Sequence, residues 1–493
     1  MKLRPACLLV PLSLLGGCAM VGPDYREPAS LAPASWFQLG ASGNVARADA
    51  AGDLGQWWRA FGDPLLTELV EEALRSSPDL RTARARLREA RARRAVAGAG
   101  LYPELSASAD ARRSKASEES GGGAARNAYS VGFDASWEAD VFGGVRRGIE
   151  AAEADLQASE ASLHDTQVTL AAEAALNYIE LRAYQTRLGI ARDNLASQGE
   201  TLQLTDWRAQ AGLVSSQDVA QARANYEQTR AQIPSLERSY AEAEHSLAIL
   251  LGQVPGSLHA RLAAGAGLPP APASIAVGIP AATLRQRPDV RAAERRLAAE
   301  TARVGVAEAA RYPGFTLSGS IGLEALTVGA LGSGNAGAYS LLAGIGAPLF
   351  NAGRLRAQVE IQDAVREQAL IDYERSVLAA LGEVENALAA LARSREREQA
   401  LTAAADAARS AALLARNQYS AGLIDFQSVL DTERSVLSIE DSLASTRADG
   451  ISALIRLYKA LGGGWTPPKE APPARDDASA AAAQSPPPGK DAT

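Results

Sequence analysis

Four segments of the chain alternate apolar and polar residues with a period of two. In residues 129–141 the apolar positions include Tyr129, Val131, Phe133 and Trp137, and each is followed by a polar or small residue. The other alternating segments are 101–110, 315–323 and 339–349. Because successive side chains of a strand point to opposite faces, this period predicts β-strands with one apolar and one polar face.

The strands are predicted to form two β-hairpins. Loops rich in Gly and Ser at 117–123 and 329–337 join them in pairs, which places the hairpins at about 101–142 and 312–350. Strands of about ten residues span a bilayer when tilted, and the alternation suits lipid on one side and water on the other. A pair of soluble hairpins with one buried face is the alternative that the pattern leaves open.

After each hairpin the period changes to that of a helix. No proline occurs between Pro103 and Pro234 or between Pro348 and Pro467, and apolar residues recur every seven positions. The clearest heptad series are Leu370, Val377, Val384 and Leu391, and Leu430, Leu437, Ala444, Ile451 and Tyr458. Such series predict long helices that pack as coiled coils.

Two long helical hairpins follow from this pattern, at 145–251 and 354–461. Each is interrupted by an Ala-Gly-Leu turn, at 211–213 and 421–423. Glycine adopts positive φ at little cost, so it suits a tight connection between helices. The two turns are therefore interpreted as the far tips of the hairpins.

The chain repeats itself after 210 residues. PDLRTARARL at 78–87 returns as PDVRAAERRL at 288–297, and the Ala-Gly-Leu turns share the same offset. This period is too long for a solenoid repeat. We therefore divide the chain into two copies of one unit, 65–252 and 279–464, joined by a linker at 253–278. Each copy holds a short helix that starts after Pro-Asp, then a β-hairpin, then a helical hairpin.

Four strands cannot close a barrel. An open sheet edge in lipid leaves peptide N–H and C=O groups without partners. If the strands cross a membrane, several identical chains must share one barrel. Duplication fits this arrangement, because each chain then contributes two similar units to a ring.

The first residues form a targeting segment. A positively charged start, a short apolar run and small residues predict a signal peptide at 1–17. Its Leu-Gly-Gly-Cys ending resembles the bacterial lipoprotein signal, which implies a diacylglycerol and an N-acyl chain on Cys18; the alternative is an ordinary secretory signal with a chance Cys. Ala19 replaces the Asp of inner-membrane lipoproteins, which favours the outer membrane. The N-terminal segment then runs over 18–64, and the Pro/Ala-rich tail at 465–493 is predicted to be disordered.

Composition excludes several classes of function. The net charge of −7 argues against a nucleic-acid partner of the basic-patch kind, and aromatic residues make up only 5%. The sequence has no phosphate loop, nucleophile elbow or Cys cluster, and its histidines are isolated at His164, His245 and His259. We therefore expect neither enzymatic activity nor a cofactor or metal site.

Several ordered motifs carry a resemblance to a known family. These are Cys-Ala-Met-Val-Gly-Pro-Asp-Tyr at 18–25, Trp-Trp at 57–58 before Phe-Gly-Asp-Pro at 61–64, and Arg-Pro-Asp at 287–289. The chain resembles the TolC-like outer-membrane factors, and within them the NodT-type lipoproteins that serve resistance–nodulation–division (RND) efflux pumps. The resemblance covers Cys18 to about Gly464.

The resemblance implies an α+β membrane protein that assembles as a homotrimer. Four strands per chain would give a twelve-stranded β-barrel in the outer membrane, continued by a long α-helical coiled-coil barrel in the periplasm. The implied function is passive conduction of drugs or other small toxic compounds. The implied partners are outer-membrane lipid, a periplasmic adaptor and an inner-membrane RND transporter.

The family's motifs also suggest site residues. Residues that close the periplasmic gate in relatives match Asp218, Tyr419 and Asp431, and a further acid of some members is Ser428 here. The apolar tip positions match the adaptor-docking residues of the family; they are Gly212, Leu213, Gly422 and Leu423. The alternatives are that Asp218 and Asp431 are solvated helix residues and that the tip residues only form turns. Arg208 could aid docking, although an exposed helical Arg is usually only solvated.

Three other functions remain open from the sequence. A type I secretion channel for proteins would share this architecture, as would a heavy-metal efflux channel. Met20 is the only methionine after the signal peptide, so no methionine relay for copper or silver is visible. A soluble periplasmic coiled-coil scaffold is the third alternative.

Overall fold

The structure is a computed structural model. It describes residues 20–29, 31–38, 45–47, 54–120, 122–265, 267–272, 275–277 and 280–466. The predicted signal peptide, the predicted lipidation site Cys18 and the tail beyond Thr466 lie outside the described residues.

Long helices dominate the fold. In the described ranges the α-helices are α1 (Pro64–Ser76), α2 (Pro78–Ala99), α3 (Gly144–Gln210), α4 (Ser216–Leu250), α5 (His259–Leu262), α6 (Pro280–Gln286), α7 (Pro288–Ala309), α8 (Arg354–Ser420) and α9 (Phe426–Ala460). The strands are β1 (Val45–Arg47), β2 (Glu104–Ser114), β3 (Arg126–Ala139), β4 (Ile275–Val277), β5 (Gly314–Ala325) and β6 (Gly337–Gly346). The helices α3 and α8 each have 67 residues and start 210 positions apart.

The four longer strands form one antiparallel sheet. Its order is β2-β3-β5-β6, so β3 and β5 join the two copies of the repeat and β2 and β6 are its edges. Many large apolar side chains on this sheet are exposed in the single chain. They include Leu105, Val131, Phe133, Leu317, Ile321, Leu323, Tyr339, Leu341 and Ile345. Within the described part of the chain, the sheet thus has two unpaired edges and an uncovered apolar surface.

The strand ends differ from the predicted ones. The fourth strand was predicted to reach residue 349, but β6 ends at Gly346. Pro348 follows closely, and proline has no N–H and restricts the residue before it, so the ladder cannot continue there. The second strand ends at Ala139 rather than residue 141, because the Asp140 carboxylate accepts hydrogen bonds from the N–H groups of Val145 and Arg146 and begins α3.

The helices form one layer, and the helices that neighbour α3 and α8 change along its length. Beside the sheet, α3 contacts both α2 and α7, and α7 also contacts α8. Toward the turns, α3 pairs with α4, α8 pairs with α9, and α3 contacts α9. Thus α2 and α4 accompany the two halves of α3, as α7 and α9 accompany those of α8.

The largest core lies where these helix pairs meet. Trp57, Trp58 and Phe61 are buried there, and the Trp57 ring stacks on Tyr458 at 5.2 Å between centroids. Asp63 caps α1 and also accepts a hydrogen bond from the Tyr178 hydroxyl at 2.6 Å. Burial in this region raises the pKa of Tyr178 to about 12, so the hydroxyl keeps its proton. The N-terminal segment therefore contributes to the core of the helical layer.

Residues 20–29 lie across the junction of sheet and helices. The buried Arg147 guanidinium donates to the carbonyl oxygen of Val21 at 3.1 Å and to the carboxylate of Asp24 at 2.7 Å. A Cβ on Gly22 would lie 2.4 Å from the Cα of Gly305 in α7. Two glycines thus allow a close backbone approach, which fixes this segment to α3 and α7.

Among the described residues, no helix combines the length and apolar character needed to cross a bilayer.

Candidate functional site: the tips of the helical hairpins

The two hairpin turns have the same backbone geometry. Gly212 and Gly422 have φ of 72° and 78°, in the left-handed region. The N–H of Leu213 donates to the carbonyl of Arg208 at 2.8 Å, and the N–H of Leu423 donates to that of Gln418 at the same distance. These bonds satisfy carbonyls at the C-terminal ends of α3 and α8, as expected where glycine ends a helix.

Each turn carries an exposed leucine. The exposed fraction is 68% for Leu213 and 74% for Leu423. A side chain that packed the turn would be buried, and these are not. The predicted docking residues Gly212, Leu213, Gly422 and Leu423 therefore sit at the two tips, with the glycines forming the turns and the leucines left uncovered.

Asp218 caps a helix at the first tip. Its carboxylate accepts a hydrogen bond from the N–H of Ser215 at 2.9 Å, and its own N–H donates to the Ser215 hydroxyl. This reciprocal pair is a capping box at the start of α4. The predicted gate residue Asp218 thus stabilises a helix end in the isolated chain, whatever it does in an assembly.

The second tip has the same Asp–Ser cap, with the two residues in the opposite order along the chain. Asp425 accepts hydrogen bonds from both the N–H and the hydroxyl of Ser428, at 3.0 and 2.7 Å. These bonds lower the pKa of Asp425, so its carboxylate stays charged at the N-terminus of α9. Ser428 thus supports the cap of the second tip.

Tyr419 joins the two hairpins. It is buried at the end of α8, with its ring 5.4 Å from that of Phe426. The Arg208 guanidinium from the last turn of α3 lies 4.4 Å from the Tyr419 ring centroid and donates a hydrogen bond to the Tyr419 carbonyl oxygen. Arg208 therefore has aromatic and carbonyl partners from a helix end 211 residues away, in addition to any role in docking.

A small apolar cluster underlies this contact. It combines Ala222 of α4 with residues of α8 and α9, and partly buried residues of α3 and both turns pack against it. Its members are Ala222, Ala415, Tyr419, Phe426, Val429 and Leu430, with Leu202, Leu204, Val214 and Ile424 around them. The two tips are therefore joined by one packed apolar cluster.

Asp431 directly follows Leu430, a member of this cluster. It is exposed, and its carboxylate accepts a hydrogen bond from the Gln427 side chain at 2.9 Å. No hydrogen bond or ion pair joins Asp431 to Asp218 or Tyr419 in the described part of the chain. The structure thus brings Tyr419 and Arg208 together, and leaves Asp431 exposed in a single subunit.

Sequence reasoning missed a buried polar group above the tips. Glu433 of α9 is buried against α3, where the Thr201 hydroxyl donates to it at 2.6 Å. Burial is the main influence and raises the pKa of Glu433, while Thr201 and the nearby Arg416 oppose this. The second carboxylate oxygen has no partner among the described residues. The heptad contained a signal, because Glu433 lies three residues after Leu430 and four before Leu437, on the apolar seam.

The described residues contain no cluster of three His, Cys, Asp or Glu side chains that could hold a metal ion.

Comparisons with known proteins agree with this architecture. The family model described as "Outer membrane efflux protein" matches residues 69–253 and 279–463. The pyoverdine export outer membrane protein OpmQ of Pseudomonas putida is 37% identical over 473 residues, which cover 94% of this chain and 98% of that protein. Nodulation protein T of Rhizobium leguminosarum bv. trifolii is 33% identical over 464 residues, covering 92% and 96%.

Solved structures are similar over nearly the same length. The outer-membrane channel OprN has a TM-score of 0.85 and 38% identity, covering 90% of this chain and 99% of that chain. The open state of the MtrE outer membrane channel of Neisseria gonorrhoeae has a TM-score of 0.79 and 28% identity, covering 91% and 99%.

The fold and the paired tips define a class of outer-membrane channels built from a strand sheet and long helical hairpins. This chain belongs to the outer membrane efflux protein family. It is an efflux channel of the outer membrane whose helices extend into the periplasm, and the predicted resemblance is confirmed.

The raised pKa of Glu433 predicts a pH dependence of tip packing. The packed state binds the proton more tightly than the unfolded chain, so the packing is most stable in acid. It weakens as pH rises from the ordinary carboxyl pKa through the raised one, because the buried carboxyl must then lose its proton. Glu433→Gln should remove this part of the dependence and raise the melting temperature at neutral pH, measured by thermal unfolding across pH.

Glu227→Gln is the matched control, because Glu227 is exposed and, among the residues that the structure describes, forms an ion pair only with Arg230 of its own helix. This variant should keep the wild-type pH profile. If Glu433→Gln also kept it, burial of Glu433 would not be the source.

Proposed function

We propose that three copies of this chain form the outer-membrane channel of a tripartite RND efflux pump. The observation that carries the proposal is the open sheet, with edges at β2 and β6 and an uncovered apolar surface. In lipid each edge needs a partner strand, and a second copy supplies one. Three copies close a twelve-stranded barrel, below which the helical layers close a tube that passively conducts small toxic compounds.

The lipid anchor belongs to the same proposal. The N–H of Val21 donates to the carbonyl of Phe142 at 3.1 Å, where β3 passes into α3. This bond and Arg147 hold the chain three residues beyond Cys18 at the base of the sheet. A diacylglycerol and an N-acyl chain on Cys18 would there enter the inner leaflet of the outer membrane. The mass of the N-terminal peptide of the purified mature protein tests this modification.

The tips form the resting gate of the tube. Tyr419, Asp218 and Asp431 occupy the positions that the family's motif assigns to it, and Arg208 holds the two hairpins together. Around a three-fold axis, three Asp431 carboxylates would attract cations at the narrowest point. The exposed position of Asp431 and the ring contact of Arg208 with Tyr419 support this arrangement.

Single-channel recording in planar bilayers tests the channel and its gate together. Wild-type protein should conduct in a low-conductance resting state. Asp431→Ala removes the carboxylate ring and Arg208→Ala removes the link between hairpins, so both variants should raise the conductance several-fold. Glu227→Ala alters a charge away from the tips and should leave conductance unchanged. Absence of any conductance in wild-type protein would contradict the channel, and unchanged conductance in both variants would contradict the gate.

The uncovered leucines are the docking points for the periplasmic adaptor. An apolar side chain held at a rigid turn can enter a partner's pocket with little loss of entropy. Leu213→Asp combined with Leu423→Asp should abolish co-purification with the adaptor while conductance persists. Leu413→Asp, an exposed leucine on the side of α8, serves as the control. If the double variant bound the adaptor as well as wild-type protein does, the tips would not be part of the interface.

A further inference from the structure

A groove lined by four arginines lies over the half of α3 that is beside the sheet. Its walls are α2 on one side and α7 on the other, and its floor is α3. The groove encloses about 540 Å³, which is within the size range of small-molecule sites. The arginines are Arg86 and Arg93 of α2 and Arg296 and Arg303 of α7.

The internal repeat places these arginines in two matched pairs. Arg86 and Arg296 are 210 residues apart, and so are Arg93 and Arg303. Within each helix the two arginines are seven residues apart, so they lie on one face, separated by about 10 Å along the helix axis. The groove therefore has two tiers, each with one arginine from each wall.

The tier nearer the sheet is neutralised by acids of the same chain. Arg93 forms an ion pair with Glu89 at 2.6 Å. Arg303 forms ion pairs with Asp155 of α3 and with Glu300 of its own helix. The guanidinium groups of this tier are therefore already held by carboxylates.

The tier farther from the sheet keeps its charge. Neither Arg86 nor Arg296 forms an ion pair in the described part of the chain, and the Arg296 guanidinium donates a hydrogen bond to the Ser162 hydroxyl at 3.1 Å. Both side chains line the same groove. Two guanidinium groups without a carboxylate partner thus share one concave surface, in a chain whose net charge is −7.

The rest of the lining is partly apolar. Ala83, Ala90 and Ala158 are buried along the groove, and Leu163 also lines it. A guanidinium group binds a carboxylate through two parallel hydrogen bonds, and an apolar floor accepts a hydrocarbon or a ring. The lining therefore fits an organic anion, with a carboxylate at one end and an apolar body at the other.

The groove lies on the face of α7 that is opposite the N-terminal segment. Glu294 accepts a hydrogen bond from the Tyr25 hydroxyl at 2.6 Å, and Gly305 packs against the same segment. Arg296 follows Glu294 by two positions, which is a rotation of about 200° around the helix. Arg303 precedes Gly305 by two positions, so it points to that opposite face as well.

We propose that this groove is a binding site for small organic carboxylates in the lumen of the channel. Arg86 and Arg296 hold the carboxylate, and the alanines and Leu163 contact the apolar body. The luminal position rests on the channel proposed above. There the N-terminal segment leads to a lipid anchor outside the tube, so the opposite face of α7 lines the inside. Binding itself needs only the groove of one subunit.

The site names a class of compound that the channel favours. Each subunit of a ring places one groove at the same level of the tube, so a passing solute meets positive charge from every side. Such a ring raises the local concentration of anions. Carboxylates with an apolar body are then retained longer than neutral compounds of the same shape.

Ligand-observed NMR on the purified protein in a non-ionic detergent tests the site. Saturation transfer to benzoate should be seen with wild-type protein, after subtraction of the signal from protein-free detergent. Benzamide has nearly the same shape without the charge and should give a several-fold smaller signal. Arg86→Gln combined with Arg296→Gln should lower the benzoate signal several-fold. Equal signals from benzoate and benzamide would overturn the role of the arginines.

Arg81→Gln combined with Arg291→Gln is the matched control. These arginines are also exposed and also 210 residues apart, but they do not line this groove. The control removes the same charge and should keep the wild-type benzoate signal. An equal loss in both double variants would show that general charge, and not the groove, attracts the anion. Displacement of benzoate by an equal concentration of inorganic phosphate would overturn the role of the apolar floor.

Reversal potentials across a KCl gradient test the luminal position. They are measured in the Asp431→Ala background, so that the gate carboxylates do not set the selectivity. Adding Arg86→Gln with Arg296→Gln should shift the reversal potential toward cation selectivity, whereas adding Arg81→Gln with Arg291→Gln should leave it unchanged. No shift with the first pair would contradict the luminal position.

The two measurements separate this site from the channel. A protein that conducts but does not bind benzoate refutes only the site. A protein that binds benzoate but does not conduct refutes the channel and, with it, the luminal position of the groove.

Discussion

In lipid, every peptide N–H and C=O group needs a hydrogen-bond partner. This requirement determines how the protein is built and assembled. The sheet order leaves β2 and β6 with unpaired edges, and no rearrangement within one chain closes four strands into a cylinder. Stability in the membrane is therefore a property of the assembly. The helical layer is incomplete for a different reason, because apolar side chains of α8 such as Ile361 and Leu378 are exposed at positions whose equivalents on α3 are buried. In a single subunit, both the sheet and the helical layer therefore leave surface uncovered.

Although a single subunit leaves surfaces uncovered, its two repeat copies pack against each other in a defined way. The two copies contact each other inside the chain through α3 with α7 and through β3 with β5. The N-terminal segment then breaks the equivalence. Its buried Trp57 stacks on Tyr458 of the second copy, and its Gly22 sits against Gly305. Both contacts are made with residues of the second copy, which distinguishes that copy from the first.

Much of the fold was predictable from local patterns. Period-two alternation identified the strands because each has one face in contact with apolar surroundings, and proline-free heptads identified the helices. The ends of strands were less predictable, since Asp140 and Pro348 act through hydrogen bonds and backbone restriction that hydrophobicity does not record. The link from Arg208 to Tyr419 was missed for another reason. It depends on the mutual placement of two helix ends, which no short window of sequence contains.

The reversed capping pairs have a geometric consequence for whatever meets the end of the tube. At one tip serine precedes aspartate, as Ser215 and Asp218, and at the other aspartate precedes serine, as Asp425 and Ser428. A ring of three subunits therefore presents six loops of similar outline but two alternating chemistries. A ring of six identical units that binds the end of the tube would meet six loops of the same shape. The position of the charged aspartate would differ between neighbouring loops. Such a ring would bind as three pairs rather than as six identical units.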